Sequence, residues 1–168
     1  MKLASFEALV SALDAAGVRY LIAGGLAVNA YGYLRFTKDI DVVVQLVPDN
    51  IERAFIALSN LGYRPLVPIT AAQFSDNTQR ERWINDKGMK VLQFWSDTHR
   101  ETPVDVFAIE PFDFNSEFSQ SSAKFLGGVA VHFVSIPTLI RMKETAGRTQ
   151  DKLDIDELRL LYPDNARQ

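Results

Sequence analysis

The ten residues RFTKDIDVVV, residues 35 to 44, put two aspartates, Asp39 and Asp41, at the mouth of a run that otherwise reads as a buried strand. In a strand, residues two apart face the same side, so the pair projects together, about 7 Å apart at about 3.3 Å per residue. Lys38 points to the other face and offers them no relief. Two carboxylates side by side repel each other and raise a pKa unless something positive sits between them. A third aspartate repeats the pattern. Asp105 is centred in PVDVF, residues 103 to 107, where apolar neighbours make an unpaired charge costly. Three strand-borne aspartates predict one metal site.

The composition narrows which metal. The chain has 168 residues, no cysteine and only two histidines, His99 and His132. Thiolate sites, disulfides and a cysteine nucleophile are thereby excluded, and a multi-histidine site is disfavoured. What remains is a hard cation on carboxylate oxygens, Mg²⁺ or Mn²⁺. The formal charge of −3, from 18 basic and 21 acidic residues, provides no general field for a polyanion. No apolar run approaches the length of a membrane span, and the N-terminal stretch carries Glu7 and Asp14 at helical spacing, unlike a signal peptide. A cytoplasmic protein with no membrane partner is expected, and 168 residues predict a single domain, 1–168.

Outward from the acidic strand, the pattern is mixed. Phe6, Leu9, Val10 and Leu13 recur at helical spacing, with Ser5 as a cap and Gly17 as a stop. RYLIAGG reads as a short strand broken by Gly24 and Gly25, followed by a brief helix from about Leu26 to Tyr31. DIDVVVQLV is the second strand, Pro48 to Asn50 a turn and cap, and IERAFIALSNLG an amphipathic helix closing on Gly62. NTQRERWIND predicts a helix, NDKG a turn, and MKVLQFW and PVDVFAI two strands. FDFNSEFSQSSAKF has no clear period, and LGGVAVHFVS reads as a turn into an alternating strand. From about residue 136 the chain is helical: Ser135 caps a helix running to Gly147, and TQDKLDIDELRLLY forms another. The fold class is α+β, with strands in the centre and helices at both ends.

AGGLAVNAYGYLRFTKDIDVVV resembles the signature of nucleotidyltransferases related to DNA polymerase β: a Gly-Gly or Gly-Ser turn opens a short helix, and an Asp-x-Asp pair follows on the next strand. PVDVF supplies the third aspartate. Arg35, Thr37 and the tail LIRMKETAGRTQDKLDIDEL are similar to the small bacterial branch, which includes abortive-infection toxins and minimal nucleotidyltransferases. The resemblance covers about residues 20 to 160, with nothing recognised between about 63 and 100 or from 110 to 130. It implies a small mixed sheet flanked by helices. It also implies Mg²⁺-dependent transfer of a nucleoside monophosphate from an NTP to a hydroxyl of tRNA, a protein or a small molecule.

By the same resemblance Asp39 and Asp41 are catalytic metal ligands, and Asp105 joins them and activates the acceptor. Gly24 and Gly25 admit the phosphates, while Arg35, Thr37 and Lys143 contact the nucleotide. A toxin with an antitoxin partner is one form of this reading; a non-catalytic binding module on the same fold is the alternative from another class. Individual residues have plainer readings too. The glycines suit a tight turn, Arg35 an ion pair with the acids, Thr37 a strand edge and Lys143 a solvated helix face. Arg148, Asp151 and Asp154 read as ion pairs at a helix junction, His132 as a packed strand residue, and Trp83 and Trp95 as core or interface residues.

Overall fold

The computed structural model describes residues 1–121, 123–126 and 128–164. Five strands form one sheet: β1 (Tyr20–Ile22), β2 (Ile40–Val44), β3 (Tyr63–Pro65), β4 (Val91–Ser96) and β5 (Val104–Phe107), in the order β1-β2-β5-β4-β3. β2 and β5 run parallel; the other three pairings are antiparallel. The helices are α1 (Leu3–Ala15), α2 (Gly24–Ala30), α3 (Pro48–Asn60), α4 (Ala71–Ser75), α5 (Asn77–Lys87), α6 (Phe114–Gln120), α7 (Ile136–Ala146) and α8 (Thr149–Leu161). A hairpin of β6 (Ala123–Leu126) and β7 (Val129–His132) stands apart from the sheet, touching it through a bridge between Ile22 and Phe133. The α+β class and the mixed sheet flanked by helices are as expected. No helix among the described residues is long and apolar enough to cross a membrane.

Ile40, Val42 and Val44 on β2, Val104 and Val106 on β5 and Leu92 and Phe94 on β4 are all buried. They share a cluster with Phe6, Leu9 and Leu13 of α1, Ile51 and Leu58 of α3, and Leu139 and Leu158 of α7 and α8. Fully burying one such side chain contributes about 1.5–3 kcal/mol. Leu21 and Val43, on the face that Asp41 shares, are buried too, so Asp41 lies where that covered face opens into a cleft.

Several local expectations are corrected. α1 starts earlier than Ser5, with Lys2 as its cap, so Ser5 is buried in the first turn and its hydroxyl meets His99 Nδ1 at 2.9 Å. α2 begins at Gly24 instead of Leu26, and Pro48 and Asp49 lie inside the first turn of α3. Asn85 to Lys87 continue α5, which stops at a left-handed Gly88. The stretch without a clear period contains α6, opened by Asp113, whose side chain accepts from Ser116 N–H, and then β6. The turn expected at LGG includes Gly127, which lies outside the described residues.

Asn50 ties the start of α3 to the strands. Its buried amide accepts from Arg19 N–H at 2.8 Å and donates to the carbonyls of Arg19 and Gln45 at 3.0 and 2.9 Å. Asn50→Ala strands one N–H and two carbonyls, so urea unfolding should show a loss of about 2–3 kcal/mol. A loss under about 0.5 kcal/mol would mean that these bonds do not hold β1 and β2 to α3.

Candidate active site

The parallel register sets Asp41 directly beside Asp105, on strands about 4.8 Å apart. Asp39 lies just before β2. Burial, and then the charges of Asp39 and Asp105, push the Asp41 carboxyl up to about 6. Asp105 is also raised, by burial and by Asp39, against a hydrogen bond from Gln93. Asp41 therefore feels the charge of both other aspartates, and Asp105 that of Asp39. Gln93, which sequence reasoning missed, is the register partner of Asp105 on β4 and donates to its Oδ1 at 2.9 Å. Only the strand pairing reveals it.

The glycines make room for this arrangement. Gly24 has φ +61°, and a Cβ there would lie 1.8 Å from Asp41 Oδ2. Any side chain would displace the carboxylate and strain the backbone. A Cβ on Gly25 would lie 2.6 Å from Thr37 Oγ1 and 3.1 Å from Arg35 Nη1. The space beside the two glycines is thus taken by Asp41, Thr37 and Arg35. Thr37 is buried and donates to the Asp39 carbonyl at 3.3 Å, fixing the chain that leads into the acid pair.

Cations reach the acids from the α7–α8 junction. Lys143 is buried, with Nζ 3.2 Å from Asp151 and 2.5 Å from Asp154. The solvated lysine of the plainer reading is replaced by a doubly paired one. Arg35 Nη2 donates to Asp154 Oδ2 at 2.8 Å. Its Nε lies 2.7 Å from Oδ1 but is not aimed at it, so that N–H stays without a hydrogen-bond partner. Arg148 Nε donates to Asp151 at 2.7 Å, while the side chain is 75 % exposed. Burial works against ionisation of Asp151 and Asp154, but hydrogen bonds from Arg148 and Lys143 to the first, and from Arg35, Lys143 and Gln150 to the second, hold both below the usual carboxylate range. Arg148 and Lys143 also lower the Asp41 carboxyl, though less than burial and the other aspartates raise it.

A cleft of about 560 Å³ opens between the Asp41 face of the sheet and α7. Its lining includes Gly24, Asp41, Lys143 and Arg148, together with the apolar side chains of Met89, Phe107 and Met142. Asp39, Asp105, Gly25, Arg35 and Thr37 do not line it; Arg35 and Thr37 bond to Asp154 and to the Asp39 carbonyl. His132 and Trp95 lie elsewhere: His132 meets Ser121 Oγ and stacks on Phe118, and Trp95 stands under Arg64.

No three or more His, Cys, Asp or Glu side chains among the described residues are gathered closely enough to cage an ion unaided. The three aspartates therefore form no ready-made cage, and Mg²⁺ on them would need phosphate oxygens and water to complete its shell. Hard oxygen donors with a surplus of negative charge fit such an ion.

The sequence matches no protein-family model and no curated protein. Solved structures do match. The antibiotic-resistance factor ANT(2'')-Ia superposes with a TM-score of 0.62 at 13 % identity, over 96 % of this chain and 82 % of that one. The lincosamide antibiotic adenylyltransferase LnuA, bound to lincomycin, gives 0.58 at 13 %, over 90 % and 92 %. A nucleotidyltransferase-like protein from Paracoccidioides brasiliensis gives 0.55 at 17 %, over 94 % and 74 %. The chain has the fold of these nucleotidyltransferases.

The raised Asp41 carboxyl sets the pH dependence. In the fold it is about 6, above the 3.8 of an ordinary aspartate, so between those pH values the folded state keeps a proton that the unfolded state has lost. Stability then falls as pH rises through that window, and the loss is complete above it. Asp41→Asn should stabilise the apo protein at pH 8 by about 2–3 kcal/mol and by little at pH 4. A stabilisation that does not shrink on acidification, followed by thermal melts, would contradict the charge cluster.

Proposed function

We propose that this protein transfers a nucleoside monophosphate from an NTP to a hydroxyl of a small-molecule acceptor, releasing pyrophosphate, with Mg²⁺ or Mn²⁺ held by Asp39, Asp41 and Asp105. The observation that carries the reading is the register of Asp41 against Asp105, with Gly24 against the Asp41 carboxylate and a cleft opening beside Asp41. Nucleotidyl transfer needs positioning and charge stabilisation more than covalent help from the protein. A repelling cluster of carboxylates next to exposed Arg148 supplies sites for both. When bound, the metal would neutralise phosphate charge and favour the attacking and leaving oxygens.

The chain's own groups have distinct parts. Asp105 takes the proton of the acceptor hydroxyl; Gln93 engages its Oδ1 and so orients the base. Arg148 faces the phosphates from the cleft mouth, and Lys143 lends charge from behind, anchored by Asp151 and Asp154. Gly24 lets Asp41 lie close to the turn, while Gly25, Arg35 and Thr37 hold the loop before β2. Structures of LnuA with lincomycin and of ANT(2'')-Ia with adenylyl-2''-tobramycin support a small acceptor.

The test is transfer of labelled NTP, with Mg²⁺ and after EDTA, to lincosamides, aminoglycosides, total tRNA and cell protein. Transfer to a small molecule, abolished by EDTA, is expected. Asp105→Asn should lower it about 100-fold or more while leaving the apo melting temperature unchanged or higher. Transfer by that variant at the wild-type rate would remove Asp105 from the reaction. Metal-dependent NTP binding with no transfer to any acceptor would make the protein a binding module.

A further inference from the structure

The cleft is polarised along its length, and its far end carries two cations without work in phosphate binding. Lys90 immediately precedes β4, and its carbonyl accepts from Ala108 N–H, just beyond Phe107. Arg141 stands on α7 two residues before Lys143, and its guanidinium reaches back to Thr138, about 7.5 Å before Lys143 along the helix. Both line the cleft and are exposed. Among the described residues neither has a carboxylate within ion-pair distance.

Arg141 is held in place. Its Nη2 donates to Thr138 Oγ1 at 2.7 Å, and that hydroxyl donates to Oε2 of buried Glu117 at 2.7 Å. Glu117 is fixed in turn by the N–H of Ser135, the cap of α7. This relay orients the guanidinium, and among the described residues Nε and Nη1 donate to no group.

If the nucleotidyl-transfer reading holds, on which this inference rests, the triphosphate lies at the Asp41–Arg148 end. Ribose and base then extend over Met89, Phe107 and Met142 towards Lys90 and Arg141. We infer that these two residues select the base. Both only donate hydrogen bonds, so they complement a keto oxygen and oppose an exocyclic amine. Guanine presents O6 and N7 together to such donors, and uracil presents O4. Adenine and cytosine present an amino group at the corresponding position. GTP and UTP are therefore the preferred donors, ahead of ATP and CTP.

The experiment is calorimetric titration of the full chain with each of the four NTPs and with inorganic tripolyphosphate, all in Mg²⁺, for wild type, Arg141→Met and Lys90→Met. The expected result is about tenfold tighter binding of GTP and UTP than of ATP and CTP. Each substitution should shrink that ratio towards one while tripolyphosphate binding stays unchanged. Equal or tighter binding of ATP by wild type, or a keto preference that survives both substitutions, overturns the base assignment and leaves the transfer reading standing. Failure of all four NTPs and tripolyphosphate to bind overturns the transfer reading and the base preference with it.

Discussion

The structure depends on the parallel pairing of β2 with β5. It sets Asp41 against Asp105 in register, and an antiparallel or shifted alignment would separate them. The pairing brings two half-buried carboxylates into mutual repulsion on neighbouring inner strands, so something must offset the cost. Part of it is met by geometry: Gly24 has no Cβ, and the Asp41 carboxylate uses that space. The rest is met by charge arriving from the other end of the chain.

That charge is organised by a buried network. Lys143 sits between Asp151 and Asp154, and Asp154 is shared with Arg35 from the loop before β2. Removing one member of a buried pair typically costs about 3–5 kcal/mol, because it leaves an uncompensated charge. The network thus locks α7 and α8 onto the loop that leads into the acid pair, and it holds the Arg148 backbone N–H at Asp151. Of its cations, only Arg148 extends well into solvent, which is the property a phosphate contact requires.

Much of this was legible in the sequence because the chemistry was local. The alternation of Asp39, Asp41 and the valines, the repeat of that pattern around Asp105, and the glycine pair identified the acidic site and the strands carrying it. The tail helices were readable from Ser135, Pro137 and Gly147. What escaped depended on tertiary pairing. Gln93 became a partner of Asp105 only through the register of β4 with β5, and Lys143 was drawn inward by carboxylates eight and eleven residues further on. The short elements β3, α4 and α6 are too brief for a clear period, and their boundaries rest on caps such as Thr70 and Asp113. Arg35 and Thr37 were read as nucleotide contacts or as structural residues, and their contacts with Asp154 and the Asp39 carbonyl give them a bracing position.

The central claim is that Asp39, Asp41 and Asp105 form one repelling unit that a divalent cation relieves. Titration of Mn²⁺ into the protein with an NTP present, followed by the loss of the free-ion electron paramagnetic resonance signal, tests it most directly. The account predicts saturable Mn²⁺ binding that weakens strongly in Asp41→Asn and in Asp105→Asn but not in Asp97→Asn, a surface control paired with Arg64. Mn²⁺ binding of equal strength in all four proteins, or none in the wild type, would contradict it.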